Sequence, residues 1–132
     1  MANASPATKT FGTLDVISAI TGVLVTPRHM DGVYEVLNWM TGESLFTHQL
    51  PRIGREAQAA MLERNPDLGP LFREAKEVTR ENWREWGRRW LDRYGPTMKV
   101  HRLTRDEHEA RDALSELAEF APPEKRIMVV TQ

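Results

Sequence analysis

The stretch Met30-Asp31-Gly32-Val33-Tyr34-Glu35-Val36-Leu37-Asn38-Trp39-Met40-Thr41-Gly42-Glu43-Ser44-Leu45-Phe46-Thr47-His48-Gln49-Leu50-Pro51-Arg52 decides how the rest of the chain is read. Val33, Val36, Leu37 and Met40 fall three or four residues apart, on one side of a helix, with Glu35 and Asn38 opposite. Asp31 can cap that helix, and Thr41-Gly42 ends it, because glycine takes the left-handed C-terminal conformation without a side-chain clash. Ser44 to Leu50 then allows a further helical turn or an extended segment. Pro51 restarts a helix at its first turn, with Ile53, Ala57, Ala60, Met61 and, at the margin, Leu62 as its apolar side before Asn65-Pro66. Two helices therefore meet at a polar corner.

N-terminal to this block, residues 1–10 lack apolar periodicity and read as a flexible arm, leaving 11–132 as one globular domain. Thr13 can cap a short helix in which Leu14, Val16, Ile17 and Ile20 share a face, closed by Thr21-Gly22. Val23-Leu24-Val25 is either a short strand or an extended core segment. C-terminal to the block, Leu71 to Tyr94 reads as one long helix whose apolar face includes Phe72, Trp83, Trp86, Trp90 and Tyr94 and which Gly95-Pro96 stops. Met98, Val100 and Leu103 suggest a strand. Thr104-Arg105-Asp106-Glu107 has the form of a capping box and predicts a helix start, with Ala110, Ala113, Leu114, Leu117 and Phe120 buried. Pro122-Pro123 ends it, and Ile127 to Val130 reads as a second strand, parallel to the first if the two pair directly. The expected fold is α+β: a mainly helical single domain with a small two- to three-stranded sheet.

With 132 residues, 40% apolar and 28% charged, the chain has the size and composition of one soluble globular domain. The absence of cysteine removes disulfides, thiolate nucleophiles and thiolate zinc sites. No apolar run approaches the roughly 20 residues that cross a bilayer, and the N-terminus lacks a signal-peptide pattern, so a cytoplasmic protein without membrane contact is expected. A net charge of −1 gives no global reason to bind phosphate backbones, and nucleic acid is not the expected partner.

The candidate binding residues are Tyr34, Asn38, Thr47, His48, Gln49, Arg52 and Arg55, gathered around the polar corner. Backbone amides at a helix start beside Arg52 and Arg55 could hold a phosphate or a carboxylate. Equally, these side chains could do no more than cap helices and close the loop. His48 could be a general base with Tyr34 as proton donor, but no serine or acid stands at a diagnostic spacing, and no catalytic residue is assigned. Trp83, Trp86 and Trp90, interleaved with Arg84, Arg88, Arg89 and Arg93, could stack on bases or cover a partner, or form core with arginine stems over their edges. His101 and His108 lack metal-ligand spacing. The acids Asp106, Glu107, Glu109, Asp112, Glu116 and Glu119 read as a solvated helix face. No metal or cofactor is expected.

The runs Asp15 to Ser18 with Thr21-Gly22, His29 to Glu43 and Leu45 to Arg52 resemble a family of small uncharacterised proteins encoded by bacteriophages and integrated elements. The ending, from Glu107-His108 through Leu114, Glu116-Leu117 and Pro122-Pro123 to Ile127–Val130, is similar to their C-termini. The resemblance carries no activity. It implies synthesis in a bacterial host's cytoplasm and, by analogy, stoichiometric binding to a host protein such as a defence complex, as anti-CRISPR inhibitors do. The alternative is a small enzyme or an anion- or nucleotide-binding protein using the His48/Arg52 corner.

Overall fold

Helix α1 (Thr13–Thr21) is buried at every residue from Asp15 to Ile20, so the other elements pack around it on all sides. The computed structural model describes residues 7–119. Val16, Ile17 and Ile20 meet Val36, Leu37 and Met40 of α2 (Met30–Thr41), Ile53, Ala57 and Met61 of α3 (Leu50–Arg64), Leu71 and Phe72 of α4 (Gly69–Ala75), and Trp86 and Trp90 of α5 (Trp83–Tyr94) in one core. The residues expected to face inward on α2 and α3 do so, except Leu62, which is exposed. Gly42 ends α2 at φ 75°, its amide donating to the Asn38 carbonyl at 2.8 Å.

Gly32 answers a different need. A Cβ there would lie 2.2 Å from Asp15 Oδ1. That carboxylate is buried and accepts from Thr26 Oγ1 at 2.5 Å and from Arg28 Nη1 at 2.8 Å, bonds that moving it aside would break. A side chain at Gly32 would therefore have to displace this hydrogen-bonded carboxylate of α1.

Several local expectations give way to tertiary contacts. Thr13 and Asp31 are not caps: each lies inside the first turn of its helix, and Thr13 instead donates its hydroxyl to the Gly95 carbonyl and its amide to the Pro96 carbonyl. Val23-Leu24-Val25 is not a strand. It has no regular secondary structure, and its backbone bonds to a side chain instead, Ser18 Oγ accepting from Val25 N at 2.9 Å and Thr26 N at 3.2 Å. The long helix expected from Leu71 to Tyr94 is broken between α4 and α5, where Asn82 Oδ1 accepts the Thr79 amide at 2.7 Å and Thr79 Oγ1 accepts that of Glu81 at 3.3 Å. Such local side-chain bonds compete with helix continuation. The break lets α4 fold back until Glu74 Oε1 accepts both indole N–H groups, of Trp86 and Trp90, at 3.0 Å. Trp86 and Trp90 are core, while half-buried Trp83 lies under the Arg84 guanidinium at 5.0 Å.

The sheet also pairs differently. Strand β1 (Thr8–Gly12) runs antiparallel to β2 (Thr97–His101), with Phe11 opposite Met98 and Lys9 opposite Val100. Residues 8–10, expected in a loose arm, are therefore sheet. Ile127–Val130, the expected parallel partner, lies outside the described residues, as do Phe120 and Pro122-Pro123. Helix α6 (Ala113–Glu119) starts nine residues after Thr104. Half of the capping box forms, Glu107 Oε1 accepting the Thr104 amide at 2.9 Å, but the chain is then drawn onto α3 and continues as a turn. Asp112 caps α6 instead, accepting the Ser115 amide at 2.9 Å. Its expected apolar face is reversed: Leu114 is 76% exposed and Glu116 is 1% exposed. The mainly helical α+β class holds, with a two-stranded antiparallel sheet.

Candidate functional site

The polar corner is built by the end of α2, a short 3-10 turn at Thr47–Gln49, and the start of α3. Asn38 Oδ1 accepts the Leu45 amide at 2.9 Å and so bends the chain back after Gly42. Tyr34 Oη and Thr47 Oγ1 share a hydrogen bond that fastens the turn to α2. Gln49 Oε1 accepts the Phe46 amide at 3.0 Å, and the Gln49 side chain is buried. These three contacts are loop closure.

His48, Gln49 and Arg52 also reach residues more than fifty positions away. Arg52 donates from Nε to Glu116 Oε2 at 2.6 Å and from Nη2 to Glu116 Oε1 at 3.0 Å, a two-pronged pair. Its Nη1 donates to Glu56 Oε2 at 2.8 Å and to the Glu109 carbonyl at 2.7 Å. Gln49 Nε2 adds a bond to Glu116 Oε1 at 3.2 Å. His48 Nε2 sits 2.7 Å from the Ala113 carbonyl, and its ring stacks on Phe46 with centroids 6.1 Å apart. Arg52 beside Glu116 holds that carboxyl down to about 2 despite its burial, with Gln49 and Arg111 adding to the effect. Arg52, expected to hold a phosphate or carboxylate from a ligand or partner, is instead taken up by Glu116 and Glu56 of its own chain.

Glu116, His108, Glu43 and Glu56 are not among the candidate binding residues expected from the sequence, and they complete this network. His108 bridges Glu43 and Glu56, and Glu107 pairs with Arg64 at 3.1 Å. The acidic run does not form a uniformly solvated face: two of its carboxylates, Glu107 and Glu116, join the segment to α3. Among the described residues, no group of three histidines or acids is placed to hold a metal.

Arg55 lies one turn beyond, exposed, on the rim of a second feature. This is a groove of about 460 Å³ between α1, α2 and α3, walled by Ala19, Ile20, Val33, Leu37 and Leu50 and edged by Thr47, Arg55 and Gln58. Leu24 and Met30, 41% and 40% exposed, stand at its mouth. Sequence periodicity assigned Val33 and Leu37 to the core, where both are buried, and had no means of showing that a groove opens beside them.

Residues 11–71 are similar to a family described as a Domain of unknown function (DUF7736). The matched region holds α1, α2, α3 and the start of α4, and with them both the corner and the groove. It leaves out α5, β2 and the segment that covers Arg52. No curated protein and no solved structure matches the chain. No helix among the described residues is long and apolar enough to cross a membrane.

Proposed function

We propose that the protein is a binding module that holds a protein partner stoichiometrically, without turnover, in the groove between α1, α2 and α3. The observation that carries this reading is an open apolar groove with Leu24 and Met30 standing exposed at its mouth. Concave apolar sites of this size, with a few polar groups on the rim, are where anchoring side chains gain most from leaving water. Arg55 on the rim favours a partner with an acidic group beside its apolar anchors. A bacterial host protein, and within that class a defence complex, is the partner favoured by the resemblance to phage- and element-encoded proteins. That provenance, and with it a bacterial cytoplasm as the working compartment, rests on the resemblance alone. The rival reading, an anion, nucleotide or catalytic site at His48 and Arg52, has less support, since Arg52 is committed to Glu116, Glu56 and the Glu109 carbonyl.

The test is a paired pull-down from bacterial lysate with the full chain and with Met30→Glu, which sets a charge at the groove mouth without entering the core. A protein retained by the first and lost by the second at micromolar bait supports the groove. Equal retention by both moves binding elsewhere, and recovery of nothing by either counts against the binding reading. A parallel thermal-shift screen with nucleotides and inorganic anions addresses the rival: stabilisation that disappears in His48→Ala would favour it.

A further inference from the structure

His108 stands between two carboxylates, and the geometry of that contact requires a proton. Its Nδ1 lies 2.6 Å from Glu56 Oε1, its Nε2 lies 2.5 Å from Glu43 Oε2, and its side chain is 10% exposed. An ionised carboxylate only accepts hydrogen bonds, while a neutral imidazole has a single N–H to donate. Both contacts are therefore hydrogen bonds only when the ring is imidazolium or one carboxylate is protonated. Histidine on its own, with an ordinary pKa near 6.5, is mostly neutral at pH 7. The fold thus retains a proton that the separated groups would release.

The charges facing this ring come from each element packed on it. Glu43 follows α2. Glu56 and Arg52 project from α3, with Arg52 holding the other oxygen of Glu56 at 2.8 Å. On the segment itself, Glu107 is taken up by Arg64 of α3, and Glu109 lies 3.7 Å from Arg111. One residue on, the Glu109 amide also donates to Glu56 Oε2, at 3.2 Å. Glu56 is thus the point on α3 where the His108 ring and the segment backbone both attach.

We propose that residues 104–119 form a proton-operated strap, docked on α3 at Glu56 while His108 is charged and loosened there when His108 loses its proton. Burial of the ring opposes its charge, but the bonds and charges of Glu56 and Glu43 outweigh it and raise the His108 pKa above 6.5. A group whose folded pKa is raised contributes in full below its unfolded value and loses that contribution as pH climbs through the folded one. The second fastening runs the opposite way. Glu116, held down to about 2 chiefly by Arg52, contributes above the ordinary 4.5 and is lost only as pH falls toward about 2. The strap is tightest between these two ordinary values and weakens first on the alkaline side, because that is where His108 titrates. The inference is independent of which partner the groove takes.

Amide hydrogen exchange on the full chain reads the docking directly at Glu109, whose amide is bonded to Glu56 of α3, while the amides of Ser115 and Glu116, bonded within the segment to Asp112, report its winding. After division by the intrinsic base-catalysed rate, protection at the Glu109 amide should fall as the pH rises from 6 to 8.5, the direction that loss of the proton held between Glu43 and Glu56 requires. Amides of α2 such as Leu37 and Met40 should hold theirs. In His108→Gln, which cannot titrate, the Glu109 amide should lose that pH dependence. A flat wild-type profile overturns the proposal, as does an equal loss at α2, which is global unfolding, or an undiminished slope in His108→Gln. Should that variant not fold, the contrast between strap and α2 in the wild type decides alone.

Discussion

Trp90→Ala should lower the free energy of unfolding by about 3–5 kcal/mol, the range for truncating a large buried aromatic. Trp90 is 3% exposed, stacks on Tyr94 with centroids 5.5 Å apart, and is covered on its outer side by the Arg93 guanidinium at 4.9 Å. The cavity left behind has few ways to collapse, since α5 is held to α4 by two indole bonds to one glutamate and Trp86 alone would keep the second. Trp90→Phe keeps most of the apolar contact and gives up only the bond to Glu74, so its loss should be well under half as large. Urea denaturation of both variants measures this. A cost below about 1 kcal/mol for Trp90→Ala would return the tryptophan face to the role of a surface stripe.

Ser18→Ala removes a single oxygen and should still cost about 2–4 kcal/mol, because it orphans two amides at once. Ser18 is 2% exposed, and its hydroxyl accepts from Val25 N and Thr26 N, both buried. These bonds stand in for the sheet pairing that residues 23–25 do not have. Neighbouring Thr21 supplies the comparison: its hydroxyl serves Ile17 O and Val23 N at a half-buried site where water can substitute, so Thr21→Ala should cost under about 1 kcal/mol. Thermal melts of the two alanine variants test the difference. A Ser18→Ala loss no greater than that of Thr21→Ala would mean that water reaches the 23–26 turn.

Much of the helical scaffold was legible in the sequence because burial there follows a local period. Val33, Val36, Leu37 and Met40, then Ile53, Ala57, Ala60 and Met61, are buried at the spacing that predicts them. What was not legible depends on partners far along the chain. Nothing near Glu116 marks it as buried, because its partners are Gln49 and Arg52. A capping box at Thr104 is sound local chemistry, and it yields because His108 and Glu109 gain more from α3 than from a helical turn. Arg52 was expected to hold a phosphate or a carboxylate from outside the chain, and a sequence pattern has no means of showing that Glu116 of the same chain occupies it. The Leu71–Tyr94 helix failed for the opposite reason: Thr79 and Asn82 carried a stop signal that the aromatic period masked.

The antiparallel pairing of β1 with β2 sets an order of events during folding. Thr8 meets His101, so closing this ladder ties together residues separated by most of the described chain. The entropy of such a closure grows only slowly with length, but it must be met before any contact in the ladder is gained, whereas α1, α2 and α3 meet through much shorter loops. The sheet is therefore expected to form after the helical core. During synthesis β1 has to wait while roughly ninety more residues are made, several seconds at ordinary elongation rates. Pulse-labelled exchange during refolding should show Val36 and Leu37 protected before Lys9 and Val100, and simultaneous protection would place the ladder in the nucleus instead.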